Sequence, residues 1–169
     1  MSENIKIKNY QAKLDQTLLS RERVRSSEDD HHMEFVEEIN GIAYINDSKS
    51  IRVTATRNSL EAIEASVVLI IGGNDEDNDY SILHQQIKQK VVAIIYLGNN
   101  SDKILTHYSS HKMFFAKASS IPESVTIASI YAHPGDVVVF SPACASHQTV
   151  DNYKDRGNEF KKTVKDLAS

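Results

Sequence analysis

The stretch VVLIIGG, residues 67–73, decides the fold class. Val67 to Ile71 form an unbroken apolar run, too short for a helix and closed by Gly72-Gly73. A strand with one wet face would alternate apolar and polar residues. A run without alternation marks a strand covered on both faces, as in a parallel sheet between helices. Two further runs repeat the pattern: VVAIIYLG (91–98) and DVVVFS (136–141), the second led by the turn Pro134-Gly135. Helical patterns lie between and after them, at 80–89, 101–108 and 119–132, with Ile121, Val125, Ile127 and Ala128 as core candidates of the last. HKMFFA (111–116) is predicted as a short strand, and a final helix covers roughly 149–167.

Upstream, residues 52–65 fit a helix through Val53, Leu60, Ala62 and Ile63. The apolar-rich runs 33–39 and 42–46 flank Asn40-Gly41, a strong hairpin signal. Strand and helix alternate steadily from residue 67, which predicts right-handed crossovers and parallel strands. The expected fold is a Rossmann-like, three-layer α/β domain, mostly parallel, with a β-hairpin at its N-terminal side. Residues 8–20 have the pattern of a short amphipathic helix, with Tyr10, Leu14, Leu18 and Leu19 on one side. Residues 20–32, SRERVRSSEDDHH, read as an exposed polar linker.

Bulk properties narrow the function classes. A chain of 169 residues is enough for one domain with a proper core. The net charge of -4 gives no support to nucleic-acid binding, which shows a basic face. The one cysteine, Cys144, excludes an internal disulfide framework, so a reducing cytoplasm is the simplest compartment. No apolar stretch approaches the roughly 18 residues that span a bilayer, and no signal-peptide core is visible at the N-terminus.

In open parallel sheets, ligands bind beyond the carboxyl ends of the strands. Three polar or small-residue segments leave strands there: NDSKS (46–50), GGNDEDNDYS (72–81) and SPACASHQ (141–148). Asn46, Asp47 and Ser48 could cap the following helix. Asp47 could instead accept a bond from a hydroxyl or a metal-bound water, and Lys49 could hold an anion. A lysine at a helix N-terminus opposes the macrodipole unless a phosphate or carboxylate binds there. Gly72-Gly73 permit a close backbone approach but form no GxGxxG, so no NAD site is expected. The acidic run after them reads as an exposed loop and lacks the spacing of an EF-hand. Cys144 reads as a buried thiol, and no metal site is expected from this chain alone. On the final helix, Gly157 suggests close helix–sheet packing, and Arg156 either clamps a carboxylate or contacts an anion.

The ordered motifs HHMEFV (31–36), YINDSK (44–49), LIIGGNDEDNDY (69–80) and FSPACAS…NYKDRGNEF (140–160) resemble the C-terminal domain of the Mur ligases. The nearest branch is the D-glutamate-adding one, the UDP-N-acetylmuramoyl-L-alanine:D-glutamate ligases. The resemblance covers residues 31–168, and it implies a division into a helical and linker remnant of a preceding domain (1–30) and a Mur-ligase C-terminal-like domain (31–169).

That family uses ATP and Mg²⁺ to phosphorylate a carboxyl group, which the amine of the incoming amino acid then attacks. The resemblance implies nucleotide-binding roles for His32, Asp47 and Lys49, with Lys49 the candidate catalytic residue. It places Ser146, His147, Tyr153, Ile51 and Glu76 at the amino-acid site. Ile51 stands where the branch has a carboxylate-binding threonine, and Glu76 where it has a lysine that pairs with the substrate's side-chain carboxylate. His32 replaces an arginine that reaches nucleotide phosphates, and His147-Gln148 replace an apolar residue and an aspartate. ATP or ADP and Mg²⁺ are implied by the family only, because the chain has no G-x-x-x-x-G-K-[ST] phosphate cradle. The expectation is a domain that is not catalytic alone and acts as a binding or regulatory module. The alternative is one part of a split or truncated ligase. Expected partners are ligase N-terminal and central domains or another cell-wall protein, with neither nucleic acid nor membrane.

Overall fold

The computed structural model describes residues 30–73, 78–98, 101–144 and 152–169. The expectations for residues 1–29, Glu76, Ser146 and His147 lie outside them. Six strands form one sheet in the order β1-β2-β6-β3-β4-β5: β1 Glu34–Ile39, β2 Ile42–Asn46, β3 Val67–Ile71, β4 Val91–Leu97, β5 Phe114–Ala118 and β6 Val137–Phe140. Only β1 and β2 are antiparallel; β2, β6, β3, β4 and β5 run parallel. The helices are α1 Val53–Glu61, α2 His84–Lys90, α3 Asp102–Tyr108, α4 Ile121–Tyr131 and α5 Asn152–Leu167, with a 3-10 turn at Tyr80–Leu83 before α2.

The unbroken apolar runs are explained by the two cores they feed. Val67, Leu69 and Ile71 of β3, with Val137 and Val139 of β6, pack towards Val53, Leu60, Leu83, Ile87 and Ile104. Val68 and Ile70, with Val138 and Phe140, point the other way, towards Val125, Ala128, Phe160 and Val164. Side chains of a strand alternate between faces, so both parities must be apolar where helices cover both. The result is the expected three-layer sandwich.

The Asn40-Gly41 hairpin also holds: their φ values are +53° and +79°, the left-handed pair that a two-residue turn with native twist requires. Helix α4 starts where its chemistry dictates. The Ser120 hydroxyl accepts from Glu123 N, Pro122 sits in the first turn, and the Glu123 carboxylate reaches back to Ser119.

Some boundaries move. The strand expected at 111–116 lies at Phe114–Ala118, because its ladder with β4 begins at Ala93 opposite Phe114 and ends at Leu97 opposite Ala118. Residues 111–113 turn instead, with Met113 N donating to His111 O. Helix α1 stops at Glu61, leaving Ala62 exposed while Ile63 still enters the core. The Lys90 ammonium donates to the Leu60 and Ile63 carbonyls at this helix end, where Leu60 O also accepts from Ile63 N at 3.2 Å. Among the described residues no helix is long and apolar enough to cross a membrane.

Candidate functional site

The strand order brings the three expected segments together. β6 lies between β2 and β3, so the carboxyl ends of all three open side by side. Their exits are stitched by main-chain bonds: Asp47 N to Phe140 O (2.9 Å), Ser141 N to Ile70 O (3.0 Å), Gly72 N to Pro142 O (3.0 Å) and Ala143 N to Ser50 O (3.0 Å). Ala143, buried and non-glycine, is held at φ +60° within this weave, and its carbonyl accepts from the Asn78 amide. Gly72 has φ +114°, and a Cβ there would lie 2.7 Å from Leu97 O and 2.9 Å from the Tyr96 ring. Gly72 thus serves close approach to β4 as well as the turn, while Gly73 makes room for the Cys144 thiol.

At the centre is Asp47, with no exposed surface. Its Oδ1 accepts from Met33 N (3.2 Å) and lies 3.1 Å from His32 Nδ1. Its Oδ2 accepts from the Ser141 hydroxyl at 2.7 Å. Ser141 also lies 2.8 Å from Thr56 Oγ1. A hydroxyl has one proton and the carboxylate can only accept, so Ser141 donates to Asp47 and receives from Thr56. Asp47 is therefore the joint between β2, β6, α1 and the 31–33 turn.

A second cluster lies beside it. Asn46, also fully buried, accepts from Ser48 N (3.2 Å) through Oδ1 and donates through Nδ2 to Glu34 Oε2 (2.9 Å). The same Nδ2 is 3.0 Å from Nδ1 of His31. Glu34 Oε2 further accepts from His31 N, and Oε1 forms an ion pair with Lys161 of α5 at 3.0 Å. Burial works to raise the Glu34 carboxyl pKa. The bonds from Lys161, His31 N–H and Asn46 outweigh it, and the pKa falls below the ordinary value.

Helix α5 closes the site with one stripe of its surface. Arg156 donates to Cys144 O through both terminal nitrogens (3.2 Å each) and to Ser48 O (3.4 Å). It clamps carbonyls, which corrects the carboxylate expected for that role. Gly157 lies against His31, Ser48 and Asn46. Phe160 stacks on Phe140 with ring centres 5.2 Å apart. The close packing expected of Gly157 is present, but against a polar cluster.

The residues singled out from sequence fall into distinct settings. Lys49 is exposed, and its N–H donates to His31 O. His32 is about half exposed beside the buried Asp47. Ile51 is half-buried, as is Tyr153, whose ring meets His31 edge-on at 5.8 Å. Cys144 is buried, and its thiol donates to Gly72 O at 3.2 Å. The NDS triplet does not cap the next helix: the N-cap position is Arg52, with no side-chain cap. Residues 49–52 carry the chain onward first, so Lys49 lies short of the helix end.

His31, placed by sequence in the polar linker, is only 6 % exposed. Its neighbours Glu34, Asn46 and Ser48 are all brought to it by the hairpin and the β2 exit. Glu34, Ser141, Thr56 and Lys161 were likewise not singled out. The one signal available was the position of the His-His pair directly before the hairpin strand. Among the described residues, no group of three or more His, Cys, Asp or Glu is placed to hold a metal ion.

The sheet order, the hairpin and the closing helix define a three-layer α/β domain with a mostly parallel sheet. In fold, the chain is similar to a domain assigned to a UDP-N-acetylmuramate:L-alanyl-gamma-D-glutamyl-diaminopimelate ligase of Haemophilus ducreyi. That match has a TM-score of 0.53 at 12% identity and covers 78% of this chain and 98% of the other. No protein-family profile matches.

In sequence, the chain is homologous to one region of the UDP-N-acetylmuramoylalanine–D-glutamate ligases. It is 40% identical to that of Cytophaga hutchinsonii over 138 residues, 82% of this chain and 31% of the relative. It is 41% identical to that of Pelodictyon phaeoclathratiforme over 140 residues, 83% of this chain and 30% of the relative. The chain thus spans under a third of the length of these relatives.

Proposed function

We propose that residues 31–169 form a D-glutamate-ligase-like C-terminal domain whose amino-acid pocket has been rewritten. It acts as a binding or regulatory module linked to peptidoglycan precursor synthesis rather than as a D-glutamate-adding unit. One observation carries this reading: Asn46, Asp47 and Ser48 direct their bonds to one another, to the backbone, to the hairpin and to the Ser141 hydroxyl. The edge is preserved as a scaffold. The positions that the family resemblance assigns to the amino acid carry Ile51, which cannot donate a hydrogen bond, and Glu76, which repels a carboxylate.

For a nucleotide, exposed Lys49 and half-exposed His32 supply donors that suit a phosphate. Bound ATP would supply the acyl-activating phosphate, and the described residues offer no ligand set for its magnesium. The second reading is one part of a split ligase, completed by separate N-terminal and central domains. It is favoured by Asp47 and Lys49 standing at positions that the family resemblance assigns to the nucleotide, and by relatives of which this chain covers under a third.

Isothermal titration with D-glutamate, ADP and ATP separates the two. The module reading expects no saturable D-glutamate binding; saturation would sink it. Recovery of a P-loop partner in a pull-down would favour the split ligase. A companion variant, Ile51→Thr with Glu76→Lys, restores a hydroxyl donor and a cation. It should raise D-glutamate affinity by about tenfold or more, the equivalent of one charge-assisted bond. No gain would mean that the pocket differs in more than these two positions.

A further inference from the structure

The cluster beneath α5 fixes a proton position. Asn46 Oδ1 accepts from Ser48 N and Nδ2 donates to Glu34, so its amide orientation is set independently of the neighbouring histidine. Nδ2 then presents a hydrogen to His31 Nδ1 at 3.0 Å, with the Ser48 hydroxyl at 3.4 Å. Nδ1 must accept. His31 is therefore neutral, with its proton on Nε2. A proton on Nδ1 would face the Asn46 NH₂ group, and Gly157 packs so closely against the same nitrogen that a Cβ there would overlap it.

We propose that His31 is a proton-sensitive latch that holds helix α5 to the carboxyl edge of the sheet while neutral and loosens it when protonated. The charged groups around it divide. Glu34 on β1 and Asp30 in the preceding turn favour imidazolium, while Lys161 and Lys154 on α5 oppose it. Burial, the largest influence, also opposes it, so its pKa lies below the ordinary 6.5. Tyr153, also on α5, adds a ring edge.

The sign follows from linkage. The unfolded or detached state takes up the proton more readily, so the latch is at full strength above pH 6.5 and weakens as pH falls below it. Glu34, depressed below 4.5, loses its contribution only in a lower window. The latch needs no ligand, so it stands apart from the proposed function.

The test is long-range ¹H–¹⁵N NMR of the full labelled chain from pH 8 to 5, with amide exchange followed over α5 and α4. The expected result is the Nε2-protonated tautomer for His31, still mainly neutral at pH 6.5, where an ordinary imidazole is half protonated. Exchange at 156–164, corrected for its intrinsic pH dependence, should quicken several-fold as His31 protonates, while α4 stays unchanged. In His31→Asn, which tolerates the φ of +69° and cannot protonate, that acceleration should vanish. An Nδ1-protonated tautomer, a His31 midpoint at or above 6.5, or unchanged α5 exchange in the wild type would each overturn the proposal, whether or not the variant folds.

Discussion

Replacing Asp47 by alanine is expected to cost about 3 kcal/mol, the range for removing the acceptor from several buried donors at once. The carboxylate has no exposed surface and is the meeting point of Met33 N–H, His32 and the Ser141 hydroxyl. Alanine would strand the Met33 N–H and leave an empty space where β2, β6 and α1 converge. Ser141 alone has a reserve, because it can turn to Thr56. Asp47→Asn should therefore cost only about 1 kcal/mol, since its carbonyl oxygen still serves Met33 and its NH₂ can donate to a reoriented Ser141. Urea unfolding would read both as a lower midpoint at unchanged slope. An alanine variant within about 0.5 kcal/mol of wild type, the usual surface range, would remove Asp47 from the scaffold.

That prediction bears on what a sequence discloses. The three-layer fold was legible because burial on both faces leaves a local mark. Val67–Ile71 and Val137–Phe140 are apolar at every position, and each parity meets its own core. The convergence of 46–50, 72–73 and 141–144 was also legible, since each follows a strand and such ends meet at one edge of a parallel sheet. What stayed hidden is contact between distant segments. Glu34 pairs with Lys161 across 127 residues, and Ser141 bonds Asp47 across 94. Polar residues carry no periodicity to announce such partners. His31 therefore looked like the end of a solvated run, although three later segments close around it. The NDS triplet misled for a related reason: Asn, Asp and Ser are good helix caps, but here their side chains bond to the hairpin and to one another. The β5 shift is of the same kind, because its register is set by β4 rather than by its own apolar pattern.

The same geometry inverts the ordinary rule for glycine. In an exposed helix, Gly→Ala stabilises by roughly 1 kcal/mol through backbone entropy. Gly157→Ala should instead destabilise by about 2 kcal/mol, the cost of forcing a methyl into a filled space. A Cβ at that position would overlap the His31 ring and the Ser48 hydroxyl and lie 2.9 Å from Asn46 Nδ2. Neither the Asn46 amide nor the His31 ring can yield freely. Asn46 is bonded to Ser48 N and Glu34, and His31 lies between Asn46 and Tyr153. The helix would have to lift, straining the Lys161–Glu34 pair and the Phe160–Phe140 stack together. The neighbouring exposed Asn158→Ala is the control and should change stability by no more than about 0.5 kcal/mol. A double variant locates the cause. In a His31→Asn background the shorter side chain frees space beside the helix, so Gly157→Ala should cost clearly less than in wild type. An undiminished cost there would mean that the helix is excluded by Ser48 and Asn46 alone, and that His31 does not set how closely α5 approaches the sheet.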